Sequence, residues 1–395
     1  MFSRLNNDNK VLILIIISSL AIKLAVCGYG IVNMPSYKFM PDTPTYIEPG
    51  INLIEKGVFA TFTNDGRINY EIIRTPGYPV FLALLNKTLK CSFDGIIIVQ
   101  ILLITFAGYI VYRAAYELDR KIALLAASIF LFDLPVTMTS LLLLSESLYT
   151  VFIAVFMYLF LRYLKTRNIY VLISSAILLA IATYIRPISY YLGFCISAGL
   201  LFSLPASGFR KALAHCLIFF VVFYGLTGIW SYRNYVRTGT AEFSTIGKID
   251  LQNMGLTHKY AREIRSKDIK TAPLLYYAGQ ATECINIFFT RPGTLKYLRS
   301  EPIKVLSKIF GYPWVVFWIA GLFFVRYNKV THLFLLFTIL YFMAVSVVGV
   351  GLCVGSRFRA PVMPLISILS ASGWIIIYPK IREILSRWVK VKKPV

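Results

Sequence analysis

Two short runs hold residue types that could transfer a group onto a hydroxyl and release a phosphate. The first is Pro41-Asp42-Thr43-Pro44-Thr45-Tyr46 and the second is Arg74-Thr75-Pro76-Gly77-Tyr78-Pro79. A carboxylate such as Asp42 can accept the proton of an attacking hydroxyl. An arginine presents a planar fork of donors that fits phosphate, and the prolines and glycine around Arg74 restrict where that side chain can go. Asp42 also has an ordinary reading, as the cap of a helix starting at Thr43 or Pro44. Displacement with a phosphate leaving group needs a base for the incoming hydroxyl and cations for the growing negative charge. Further arginines that could supply that charge are Arg186, Arg233, Arg357 and Arg359, each of which could equally anchor the chain at a membrane interface. Tyr46, Glu48 and Tyr78 lie close enough in sequence to count as substrate contacts.

Three charges sit inside otherwise apolar stretches: Lys23, Asp133 and Glu146. A charge in hydrocarbon is expensive, so each is a candidate functional group, with a structural ion pair or snorkelling as the alternative. Glu146 has the strongest case as a partner of Asp42, with which it could bind a divalent metal, orient an acceptor or pair with an arginine. Lys23 could reach a lipid phosphate or an acid on a neighbouring helix.

These residues are positioned by long apolar segments. Hydrophobic residues make up 57% of the 395, only 15% are charged, and the mean hydropathy is +0.68. A bilayer span takes about 20 apolar residues in a helix, because no water is there to satisfy the backbone. The expected spans are 11–32, 93–112, 122–140, 141–161, 170–185, 188–206, 212–230, 309–325, 331–354 and 361–378, about ten in all. The third and fourth are separated by almost nothing, and Asp133 with Pro135 predicts that one of them is tilted or broken. The fold class is therefore an all-α polytopic bundle forming one membrane domain over residues 1–395.

The net charge of +23 could suggest nucleic acid, but its distribution excludes that partner. Basic residues occur at every second span end: Arg4 and Lys10, Arg120 and Lys121, Arg162 to Arg167, Arg210 and Lys211, Arg326 and Lys329. After Tyr378 come six basic residues against one acidic residue. This is the positive-inside pattern, and it predicts both termini in the cytoplasm and membrane lipids as partners. A retained first span is expected rather than a cleaved signal peptide, because Lys23 interrupts the apolar run.

Two segments outside the spans are long, 33–92 and 231–307, and the topology places both on the outer face. The apolar piece Pro79–Leu85 is too short to span and reads as a helix lying at the interface or re-entering it. Cys91 and Cys284 fall in these loops and could pair, while Gly351-x-x-x-Gly355 reads as close helix packing. The three histidines form no metal-binding pattern.

Taken together, the chain resembles the GT-C superfamily of polytopic glycosyltransferases, most closely the protein-mannosyltransferase and aminoarabinose-transferase-like group, glycosyltransferase family 39. The resemblance rests on Asp42-x-x-x-Tyr46, Arg74-Thr-Pro-Gly-Tyr-Pro, Ser145-Glu146-Ser147-Leu148-Tyr149, Ile185-Arg186-Pro187, Trp230-x-x-Arg233-Asn234-Tyr235 and Arg357-x-Arg359-x-Pro361-x-x-Pro364. It implies that Asp42 is the base and that the donor is a polyprenyl-phosphate sugar, transferred with inversion to a glycan, lipid or protein acceptor. Relatives often carry two adjacent acids where this chain has Asp42 followed by Thr43. Either one acid suffices, or Glu48 or Glu146 takes the second role, which leaves metal dependence open. An envelope-polysaccharide polymerase and a lipid-linked sugar flippase are the alternatives. The acid just after the first span, followed by the Arg74 stretch, favours the transferase. A bacterial plasma membrane is the expected setting, with the site on the extracytoplasmic face.

Overall fold

A computed structural model describes residues 7–202, 208–249, 305, 313–314, 316–323, 327, 329–348 and 356–391. Most of the second long loop, including Cys284, and the Gly351-x-x-x-Gly355 stretch lie outside the described residues. Of the expected 309–325 span, only part lies inside them.

The chain opens with helix α1 (Asn7–Asn33) and continues through α2 (Pro44–Lys56), strands β1 (Ala60–Phe62) and β2 (Ile68–Tyr70), and α3 (Gly77–Ala83). The bundle is then built by α4 (Phe93–Leu118), α5 (Arg120–Phe132), α6 (Leu134–Ser140), α7 (Ser145–Thr166), α8 (Ile169–Ile185), α9 (Tyr190–Phe202) and α10 (Phe209–Thr238). Helices α11 (Lys329–Val348) and α12 (Met363–Val391) complete it. Five described helical segments are long and apolar enough to cross a membrane, six if the bent pair α5–α6 counts as one, and three shorter apolar helices lie beside them. The chain is an integral membrane protein. The α4, α7 and α12 segments are largely enclosed by protein, whereas α1 and α10 expose most of their length.

Of the closely spaced third and fourth expected spans, the third is broken, as Asp133 and Pro135 predict. Helices α5 and α6 meet at 54°, at Asp133, whose carboxylate accepts the Val136 N–H at 3.0 Å and so caps α6. A broken helix leaves carbonyls without partners. The orphan carbonyl of Leu131 is taken up by Lys23, whose ammonium donates at 2.7 Å, and by the Ser19 hydroxyl at 2.9 Å. Arg359 closes the other side with a 2.7 Å ion pair to Asp133, both side chains only 6% exposed. Lys23, Asp133 and Arg359 thus serve the break. This corrects the expectation that Lys23 and Arg359 touch substrate or donor phosphate. Removing one partner of a buried pair strands the other, at about 3–5 kcal/mol. Arg359→Ala should lose about that much stability in a thermal-denaturation assay, while the joint change Asp133→Asn with Arg359→Met should recover most of it.

The all-α expectation needs one correction, in the first long loop. β1 and β2 form an antiparallel hairpin with Ala60 opposite Tyr70 and Phe62 opposite Ile68. Asn64-Asp65-Gly66 makes the turn, and Gly66 supplies the positive φ of 80° that the turn requires. The Pro79 segment does form a helix, α3, which runs on into one π turn at Leu84–Thr88. Its inner face is buried rather than exposed to headgroups, with Tyr78, Pro79, Leu82 and Ala83 enclosed.

Two glycines let this loop dock against the bundle backbone to backbone. A Cβ on Gly50 would overlap the Pro79 carbonyl, and one on Gly77 would overlap the main chain of Tyr184 and Ile185. Segment 37–43 is tied to the turn before α7. The Leu143 N–H donates to the Lys38 carbonyl at 2.9 Å, and the Thr43 hydroxyl donates to the Leu143 carbonyl at 3.1 Å.

Candidate functional site

Those contacts bring the starts of α2, α3 and α7 and the end of α8 together at one end of the bundle. Asp42 sits in the turn just before α2. Its side chain does not cap that helix, for no side-chain capping bond is made there and Pro44 needs no partner at the first helical position. The carboxylate is instead gripped from both sides. Arg74 donates to Oδ1 at 3.2 Å and Arg357 to Oδ2 at 3.2 Å.

Arg74 is itself aimed. Its Nε donates to the Thr45 hydroxyl at 3.0 Å, and its Nη1 donates to the Tyr46 hydroxyl at 3.2 Å. The guanidinium carbon lies 4.7 Å from the centre of the Tyr46 ring, a cation–π contact. Glu71 holds the backbone at this point by accepting the N–H groups of Ile73 at 2.6 Å and Arg74 at 2.8 Å.

Glu146 occupies the first turn of α7 at 2% exposure. Arg186, just past the end of α8, pairs with its Oε1 at 2.7 Å, and Arg357 Nε lies 3.7 Å from the same oxygen. Gly77 makes this possible, because it lets the Arg74 loop rest on the α8 end that carries Arg186. Burial works against the charge on Arg186, but the Glu146 carboxylate, with Tyr46 and Tyr149, more than offsets it and raises its pKa. The five groups form one chain, Arg74–Asp42–Arg357–Glu146–Arg186, with the Arg357 guanidinium in the middle. Asp42 is a third exposed at the open end, and Glu146 lies at the closed end.

The other expected site residues fall elsewhere. Arg233 donates to the carbonyls of Glu71 at 2.8 Å and Phe59 at 2.7 Å, and its guanidinium lies 4.7 Å from the Trp230 ring centre. It braces the hairpin and not the Asp42 group. Tyr78 is wholly buried. Its hydroxyl donates to Gln100 at 2.8 Å, and its ring packs edge-on against Tyr46 with centroids 5.1 Å apart. It supports Tyr46 from behind instead of touching substrate. Glu48 is exposed on α2, outside the group. Gln100 and Glu71 went unnoticed at the sequence level, as did the tie from the Thr43 hydroxyl to the Leu143 carbonyl. Gln100 had a signal, as a lone amide in the apolar run Ile96–Ile104. It links Tyr78 to the Leu142 carbonyl, to which it donates at 2.7 Å.

With the geometry in place, comparison with known proteins adds two findings. The fold is similar to that of the oligosaccharyltransferase of Archaeoglobus fulgidus. The apo form aligns with a TM-score of 0.56 and 12% identity over 96% of this chain and 52% of that one. The complex with Zn and sulfate gives 0.59 and 14% over 96% and 51%. The form tethered to an acceptor peptide containing the NVT sequon gives 0.57 and 14% over 92% and 50%. The chain thus spans about half the length of that enzyme. A family model described as dolichyl-phosphate-mannose-protein mannosyltransferase matches residues 74–230. That stretch contains Arg74, Glu146 and Arg186, whereas Asp42 and Arg357 lie outside it. No curated protein sequence matches. The fold is similar to that of an oligosaccharyltransferase and the matched segment to a mannosyltransferase family, in keeping with the GT-C resemblance that the sequence motifs carry.

Proposed function

We propose that this protein transfers a sugar from a polyprenyl-phosphate donor to an acceptor hydroxyl, with inversion and with Asp42 as the base. The observation that carries this reading is the carboxylate of Asp42 held between two arginines, Arg74 and Arg357. The acceptor oxygen attacks the anomeric carbon and its proton passes to Asp42. The bond from that carbon to the phosphate oxygen breaks, and its electron pair leaves on the phosphate. Arg74 and Arg357 stabilise that developing charge, and their grip aims the carboxylate. Tyr46 and Thr45 keep the Arg74 fork fixed.

The setting we infer is the outer leaflet of a bacterial plasma membrane, with about ten spans and both termini in the cytoplasm. The architecture agrees with that orientation. Asp42, Arg74, Glu146 and Arg186 gather where α1 and α8 end and α7 begins. Arg120, Lys165 and Arg210 lie at the other ends of their helices. A phosphate at headgroup level can meet the arginines while its isoprenoid tail stays in lipid. The acceptor class is a glycan, a lipid or a polypeptide. The A. fulgidus structure with its tethered peptide makes the last a natural first substrate to try.

Mass spectrometry of lipids and glycans from cells with and without the protein tests the reading. Cells lacking it should miss one sugar while accumulating its lipid-linked form. An unchanged glycan profile would remove the transferase assignment. Loss of the sugar together with donor trapped on the inner leaflet would favour a flippase.

A further inference from the structure

Two carboxylates on facing turns are an ordinary donor set for a divalent cation, and Asp42 and Glu146 are such a pair. A guanidinium already stands between them. We propose that Arg357 does the work of a metal ion here, so that the site runs without a divalent metal and takes up an anion in its place. This rests on the reading of Asp42 and its arginines as the transfer site.

Three observations support it. First, three of the four carboxylate oxygens already face a guanidinium. Asp42 Oδ1 is held by Arg74, Asp42 Oδ2 by Arg357, and Glu146 Oε1 by Arg186 and Arg357. The fourth, Glu146 Oε2, is buried and without a hydrogen-bond partner among the described residues. A cation at any of the other three would share its oxygen with a guanidinium and be repelled by it. No group of three or more His, Cys, Asp or Glu side chains placed to hold a metal occurs among the described residues.

Second, the charge has the wrong sign for a cation. Three guanidinium groups face two carboxylates, so the cluster carries a net positive charge. A divalent cation would add to that repulsion, whereas a phosphate diester neutralises it.

Third, the open hydrogen-bonding positions are complementary to the proposed substrates. Arg357 Nε is a buried donor that lacks a hydrogen-bonded acceptor among the described residues, and Glu146 Oε2 is a buried acceptor that lacks a donor. A phosphate oxygen satisfies the first and a sugar hydroxyl the second. A cation satisfies neither donor nor net charge.

The test uses the full-length chain in lipid nanodiscs, with Mn²⁺ as the probe, read by electron paramagnetic resonance. Wild type should show no saturable Mn²⁺ binding, and Arg357→Gln, which frees the two acids, should bind Mn²⁺ at least tenfold more tightly. Asp42→Asn added to that variant should remove the gain. Sugar transfer by wild type should be unchanged, within about twofold, by a strong chelator. One Mn²⁺ per wild-type chain, lost in Asp42→Asn, would overturn the proposal. So would an Arg357→Gln protein that melts like wild type yet gains no binding, or transfer abolished by chelator and restored by Mn²⁺. The binding experiment needs no donor or acceptor, so failure of the transferase reading would leave its outcome legible.

Discussion

Asp42→Asn is expected to lower sugar transfer by about 10²–10⁴-fold, the range that a positioned general base supplies. The amide keeps the shape of the side chain and still offers one oxygen to an arginine. What it cannot do is take the proton of the acceptor hydroxyl. Folding should be spared, because the carboxylate is a third exposed and caps no helix. The effect should also be lopsided. Asn leaves Arg74 and Arg357 with less negative charge to hold, so donor phosphate should bind as well as before or more tightly. The loss should therefore fall on kcat with KM for the donor unchanged or lowered. Proteoliposomes loaded with lipid-linked donor give both parameters, and a melting curve confirms the fold. Normal turnover in this variant would end the assignment of Asp42 as base.

Arg74→Ala should act on the other half of the reaction. It removes the fork that touches Asp42, Thr45 and Tyr46 together, and with it one of the cations facing the leaving phosphate. Loss of one such electrostatic contact typically lowers turnover by about 10²–10³-fold. Here kcat/KM for the donor should fall by that order, because the contact serves binding as well as departure. Arg74→Lys should recover only part, since an ammonium restores the charge but not the planar two-pronged contact. Membrane insertion should match wild type in both variants, because Arg74 lies outside every long apolar helix. Donor kinetics unchanged by Arg74→Ala would exclude the phosphate role.

Much of this site was legible in the sequence, and the reason is chemical. A carboxylate that closely follows an apolar span, or an arginine flanked by proline and glycine, is unusual enough to stand out. Asp42, Arg74, Glu146, Arg186 and Arg357 were all expected to take part, and the structure joins them into one chain. What the residue types could not convey was which arginine meets which acid. Arg357 and Arg359 are two residues apart, yet one reaches Asp42 and the other Asp133. Arg233 looked like its fellows but spends its donors on backbone carbonyls. Lys23 was marked because a buried charge is expensive. Its actual task, holding the Leu131 carbonyl, depends on a bend in another helix that its own neighbours do not encode. The bend was announced by Asp133 and Pro135, whereas the hairpin went unread, because β-forming residues flank its Asn64-Asp65-Gly66 turn for only three positions on each side.

The backbone contacts at Gly50 and Gly77 bear on how this protein can be handled. Segment 33–92 joins two long apolar helices as a loop would, yet at these glycines it packs like an interior. Epitope tags, fluorescent labels and chimaeric junctions are usually placed in such loops because loops tolerate insertion. Here the stretches around Gly50 and Gly77 are as unforgiving as a helix core, and the exposed hairpin turn around Asp65 offers an engineer room.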